Sequence, residues 1–102
     1  MRNKTSKLRK LERERYSILT DDMGTCFICK HPASDIHEIY CGAKRQASMR
    51  NGFCVPLCRQ CHTIITNNWC NDMNLRILCQ KEYEKTHTRE EFLKEIGRSY
   101  VV

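Results

Sequence analysis

Four cysteines stand in two brackets of identical spacing, Cys26-Phe27-Ile28-Cys29 and Cys58-Arg59-Gln60-Cys61, and the second bracket runs directly into His62. A two-residue gap lets a short loop close while both thiolates reach one ion at about 2.3 Å, so two such brackets supply the four soft ligands of a tetrahedral zinc site. Coincidental pairing in a cysteine-rich chain is the competing explanation, and the repetition of one spacing argues against it. Cys26, Cys29, Cys58 and Cys61 are therefore the expected ligands of a structural zinc ion, whose binding free energy becomes folding free energy in a small chain. The separation of the brackets, residues 30–57, exceeds that of the shortest zinc ribbons, so a folded element is expected between them. That stretch contains Asp35-Ile36-His37-Glu38-Ile39, an imidazole flanked by carboxylates. Together with His62, these side chains are of the types that hold a divalent cation or move a proton near neutral pH. A lone histidine on a half-buried strand is more often structural; His37 and Glu38 gain weight from standing together.

The elements that must position these groups follow from periodicity and punctuation. At 102 residues the chain is one domain near the lower end of what buries a self-sufficient core. Residues 5–18 read as an amphipathic helix with Leu8, Leu11 and Ile18 on one side, within a basic N-terminal segment over residues 1–20. A turn at residues 20–24 leads into the zinc-stapled part, residues 21–102. Residues 35–40 alternate as a short strand, and residues 53–57 form a second one in which Pro56 belongs to an edge or a strand end. Residues 44–51 between them are either loop or one to two helical turns. The second bracket opens a helix over residues 59–67, which presents Cys61 and His62 on a rigid element. Asn71 or Asp72 can cap the next helix, with Leu75, Leu78, Cys79 and Tyr83 as its buried stripe. Thr88-Arg89-Glu90-Glu91 is a capping box. Phe92, Leu93 and Ile96 form the apolar side of the last helix, and Gly97 stops it.

The formal net charge of +6 and a pI of about 9.0 favour polyanionic partners, since neutralising phosphates releases condensed counterions. Residues 1–17 carry Arg2, Lys4, Lys7, Arg9, Lys10, Arg13 and Arg15 against Glu12 and Glu14, a local excess of +5. A merely solvated helix accounts for such a run in isolation; beside a zinc module, nucleic acid is an equal reading. No apolar signal segment and no apolar run of membrane-spanning length are present, so a cytoplasmic protein with no membrane partner is expected. Its thiols are then reduced or metal-bound. Cys41, Cys54, Cys70 and Cys79 are left over as small core residues.

The order strand, connection, strand, then helix at the second bracket resembles the HNH endonucleases, the ββα-metal or His-Me finger superfamily, in their zinc-stapled form. A nearer resemblance is to small phage and prophage-borne HNH-like proteins. It is carried by His37-Glu38-Ile39, Gly42, Lys44-Arg45-Gln46-Ala47-Ser48, Arg89-Glu90-Glu91-Phe92-Leu93 and Gly97-Arg98-Ser99-Tyr100, and it spans about residues 17–101. The fold it implies is α+β, a small zinc-bound ββα-metal domain with flanking N- and C-terminal helices. The implied activity is metal-dependent hydrolysis of DNA in phage DNA metabolism inside a bacterial host, with Mg²⁺ or another divalent ion separate from the zinc. In that family a strand histidine is the general base, and a neighbouring strand residue and a helix histidine or asparagine hold the ion. The resemblance makes His37, Glu38 and His62 the catalytic set, with His37 and His62 as ligands of the divalent ion. Glu38 stands where the base histidine is usual, so it replaces that base or shares the metal, or His37 becomes the base in a shifted register. Adjacent strand residues face opposite ways, so both contribute only at a strand end or irregularity. The family's middle asparagine is replaced by Phe53, and Thr66 stands where a last helix histidine is common, leaving Asn67 or Asn68 to supply an oxygen. These departures keep open an alternative, a catalytically degenerate zinc-dependent nucleic-acid-binding module; an adaptor in which zinc serves only the fold is a third reading. The resemblance also implies phosphate contacts by Lys44, Arg45 and Arg50. His31 is expected in the knuckle loop, His87 exposed in a helix linker, and Trp69 in the core.

Overall fold

The computed structural model describes residues 6–101. Arg2, Lys4 and the helix start expected at residue 5 lie outside the described residues, as does Val102. The chain runs through α1 (Ser6–Arg13), β1 (Asp35–Glu38), a 3-10 turn (Gly42–Lys44), α2 (Arg45–Asn51), β2 (Cys54–Leu57), α3 (Arg59–Asn67), α4 (Trp69–Tyr83) and α5 (Arg89–Ile96). It is a small α+β domain with one antiparallel sheet of two strands, in which Asp35 faces Leu57 and His37 faces Val55.

A hairpin of this size is marginal by itself and needs other elements packed against it. All four residues of β2 are buried. The aromatic core sits just past the strand ends: Tyr40 and Phe53 meet edge to face at 5.4 Å, Phe53 and Tyr83 at 5.1 Å, and Tyr40 and Phe92 at 5.5 Å between centroids. Such edge-to-face pairs set the positive ring edge against the negative ring face. Leu75 and Cys79 of α4 and Ile96 of α5 complete this core.

The connection between the strands resolves as helix because Ser48 is fully buried and satisfied twice. Its hydroxyl accepts from Tyr40 N at 3.1 Å and donates to Tyr40 O at 2.7 Å. The Ile39 N–H still donates to Phe53 O at 2.8 Å, and the Tyr40 N–H beyond it, on the outer side of β1, is the one that Ser48 takes. Gly52 stops α2 with φ +73°, and its carbonyl accepts from Ile18 N at 2.9 Å. The N-terminal helix is correspondingly shorter than its apolar pattern suggests. Arg15 Nε donates to Glu12 O at its end, and Ile18 and Leu19 pack on the core from the extended chain beyond. On the outer side of β2, the Phe27 N–H donates to Pro56 O at 2.8 Å.

Four expectations need correcting. Asn68, not Asn71 or Asp72, caps α4, its Oδ1 accepting from Asn71 N at 3.0 Å. The helix therefore starts at Trp69, which is 72% exposed rather than core. Leu78 is 44% exposed; the buried face carries Gln80 instead, whose amide donates to Glu84 and Ser99 and accepts from Tyr100 N at 2.7 Å, holding the C-terminal residues down. Of the spare cysteines, Cys54 and Cys79 are core, while Cys41 and Cys70 are exposed. The capping box at Thr88 and the left-handed Gly97 stop are as expected. No helix among the described residues is long and apolar enough to cross a membrane.

A Cβ on Gly52 would lie 2.9 Å from both Cδ2 and Cζ of Tyr16, in a backbone conformation L-residues rarely adopt. Gly52→Ala is expected to cost about 2–4 kcal/mol, the left-handed penalty plus the clash. Gly42→Ala, with φ +68° but open space around it, should cost about 1–2 kcal/mol. Urea unfolding midpoints compare the two; equal losses would show that the Tyr16 contact is immaterial.

Candidate metal centre and active site

The loop over Cys26 and Cys29 is a tight turn. Cys26 N donates to His31 O at 2.7 Å, Lys30 N donates to Cys26 O at 3.1 Å, and Lys30 takes the left-handed conformation at φ 69°. The second pair sits at the β2–α3 junction, where Cys58 is the N-cap of α3 and its sulfur accepts from Cys61 N at 3.4 Å. The two pairs converge, with all four sulfurs within 4.8 Å of one another and Cys29 Sγ 3.6 Å from Cys58 Sγ. A tetrahedral zinc ion with bonds of about 2.3 Å sets its sulfurs about 3.8 Å apart, so the spacing suits a structural metal such as zinc.

The electrostatics agree. Burial raises the Cys26 thiol, but the N–H groups of Cys29, Cys58 and Ile28 outweigh it and bring the group down to about 6. Burial and then the neighbouring thiols push Cys61 up to about 12. One thiolate is favoured and its neighbours resist joining it; a divalent cation removes that conflict. His31 Nδ1 lies 3.4 Å from Cys29 Sγ, at the rim of the cluster.

The second grouping arises from strand alternation. Residues i and i+2 of a strand share a face, so β1 turns Asp35 and His37 together toward α3. There His62, fixed by the first turn of α3 through His62 N to Cys58 O at 2.9 Å, brings its Nδ1 to 2.9 Å from Asp35 Oδ2. Arg59 Nη2 donates to Asp35 Oδ1 at 3.1 Å. The bond to His62, against some burial, and the charge of Arg59 hold the Asp35 carboxyl below the usual carboxylate range. The His37 and His62 rings meet edge to face at 5.2 Å. His37 is 7% exposed; burial, then His62, lowers its pKa, and its Nε2 is buried without a hydrogen-bond partner. A groove of about 250 Å³ opens beside this grouping, with Ile36, His37, Glu38, Cys41, Arg45, His62 and Thr66 on its walls.

His37 and His62 are thus brought together, and Glu38 borders the same groove with its carboxylate engaged by arginines. Its carboxylate accepts from Arg45 Nε at 2.5 Å and Arg15 Nη1 at 3.2 Å, and it is 11% exposed. Arg45 also donates to Glu12. Of the three basic residues expected to meet phosphate, Arg45 is held in this network, Arg50 pairs with Glu95 at 3.5 Å, and Lys44 is exposed. Thr66 returns its hydroxyl to the carbonyls of His62 and Thr63, Asn68 is a helix cap, and Phe53 is core. His87 is exposed but stacks on Tyr83 at 4.0 Å. Asp35 and Arg59 were the residues that adjacency along the chain passed over. The signal that finds Asp35 is period two: it shares a face with His37, whereas Glu38 does not. Among the described residues, only the four cysteines bring three or more possible metal ligands close together.

A structural zinc contributes about 10–16 kcal/mol in small domains, against a typical folding stability of about 5–15 kcal/mol, so its loss should unfold the chain. Native mass spectrometry is expected to find one zinc per chain, and Cys58→Ser should lose both the ion and cooperative thermal unfolding. A metal-free protein whose unfolding is unchanged by a chelator would sink the assignment. Compared with known proteins, the chain matches no protein-family model, no curated protein and no solved structure.

Proposed function

We propose that the protein is a metal-dependent DNA endonuclease of the HNH type, with structural zinc at Cys26, Cys29, Cys58 and Cys61 and the chemistry at Asp35, His37 and His62. The observation that carries this reading is the 2.9 Å approach of His62 Nδ1 to Asp35 Oδ2, beside His37 and across a strand–strand–helix unit stapled at its junction by cysteines. It is supported by the resemblance, which implies the same order of elements and the same placing of a helix histidine opposite a strand. Phage or prophage DNA metabolism in a bacterial cytoplasm comes with that resemblance.

His37 and His62 border an open groove, with room for the waters and phosphate oxygens that complete the shell of a divalent ion such as Mg²⁺ or Mn²⁺. With its Nδ1 turned to Asp35, His62 has Nε2 left to hold such an ion, which would neutralise charge on the scissile phosphate and activate a water. Asp35 orients the His62 ring through their shared bond, and Arg59, exposed beside Asp35, offers a cation to the phosphate. His37, kept neutral by burial, is the base available to take the proton of the attacking water. Glu38 is not, because both its oxygens are engaged by arginines.

One observation favours a second reading, a zinc-dependent nucleic-acid-binding module without hydrolysis. Thr66 donates its hydroxyl within its own helix, and Phe53 is in the core, so neither replaces the histidine and asparagine common in the family. Incubation of supercoiled plasmid with Mg²⁺, Mn²⁺ or Ni²⁺ separates the two. Nicking is expected, reduced about 10²–10⁴-fold in His37→Ala and by at least as much in Asp35→Asn and His62→Ala, with zinc content unchanged. Tight DNA binding without nicking under any of these metals decides for the module.

A further inference from the structure

A second groove, about 580 Å³, lies between the start of α2 and the side of α5, with Lys44, Arg50 and Lys94 on its walls and Glu95 as the only acid among them. Arg45 borders the groove, but its guanidinium is held by Glu12 and Glu38, and Arg15 also pairs with Glu38. Arg50 is answered by Glu95. Lys44 and Lys94 remain, neither paired with a carboxylate among the described residues. The Lys44 ammonium lies 3.7 Å from where a Cβ on Gly97 would stand, so α2 and the end of α5 meet here. The flank is α1, whose Leu8 reaches the groove and whose Lys7, Lys10 and Arg13 are exposed.

We infer that this groove seats the phosphodiester backbone of a nucleic acid, with Lys44 and Lys94 as its phosphate contacts and the basic face of α1 beside them. The inference rests on reading the chain as a nucleic-acid-binding protein, and not on cleavage. A concave, polar, uncompensated pair of ammonium groups attracts a repeating anion as point charges, without the fixed fork that reads a particular base. Arg45 borders both this groove and the one beside His37 and His62, so a strand lying in one continues toward the other. Lys94 belongs to α5, far along the chain from the strand–strand–helix unit, which makes the last helix part of the binding surface. An anionic membrane is the lesser match, because binding there needs apolar side chains to insert. Of the exposed large apolar residues, Ile28, Ile64, Trp69 and Leu78 lie on the cysteine loop, α3 and α4, and Tyr16 and Leu93 lie nearer, but none of the six lines this groove.

The test is fluorescence anisotropy of the full zinc-loaded chain with a labelled DNA duplex over a range of salt, with zinc content and unfolding midpoint checked for each variant. Lys44→Ala/Lys94→Ala is expected to weaken binding about tenfold or more and to reduce the slope of log affinity against log salt by about 2. Lys44→Gln/Lys94→Gln, which keeps more of the side-chain length, should do the same. An equal loss on an RNA duplex supports a backbone contact common to both nucleic acids. The inference is overturned if the charge-matched Lys81→Ala/Lys85→Ala weakens binding as much, or if affinity and slope are unchanged. It is also overturned if the Lys44/Lys94 variants lose binding to phosphatidylserine vesicles while duplex binding persists. A chain that binds duplex through these lysines and never nicks would remove the endonuclease reading and leave this one intact.

Discussion

Four sulfurs within 4.8 Å repel one another as they ionise, and the small hairpin beside them cannot stand alone, two weaknesses that one divalent cation would resolve. The cysteine loop, which touches the sheet through Phe27 and Pro56, would be joined by it to the junction where β2 becomes α3. Cys58 is the helix N-cap and one of the four sulfurs that could hold the ion, which would couple metal binding to the first turn of α3. His62 follows in that same turn, which carries it to Asp35, and their shared bond holds it there.

The parts legible from the sequence were those whose partners lie close along the chain. Two cysteine brackets predict a cluster because each loop fixes its own pair, and the capping box at Thr88 is complete within four residues. The bounds of α3 also follow locally, from a bracket that ends one strand and starts a helix. The parts that were not legible depend on distant partners. Nothing near Ser48 announces that its hydroxyl will take both the N–H and the carbonyl of Tyr40 and tie α2 to the end of β1. Trp69 became an exposed first residue of α4 because Asn68 won the competition to cap it.

The candidate site teaches the same lesson at finer scale. Adjacency suggested His37 with Glu38, but a strand sorts its side chains by parity. Asp35 and His37 therefore go to α3, and Glu38 goes to arginines 23 and 7 residues away in the chain. The Glu38 network also explains why the basic N-terminal segment is not simply a solvated tail. Glu12 and Arg15 bind it to α2 and β1 through groups only partly open to water, and paired groups so placed cost more to separate than surface ion pairs.

Pro56 has a further effect. The carbonyls of Phe53 and Leu57 accept from residues on the β1 side, so the backbone groups of Pro56 point the other way, to the outer edge of the sheet. That position has no N–H to offer, and its carbonyl is already taken by Phe27. A foreign strand approaching there finds neither donor nor acceptor at the centre of β2, which protects this apolar strand from edge-to-edge aggregation.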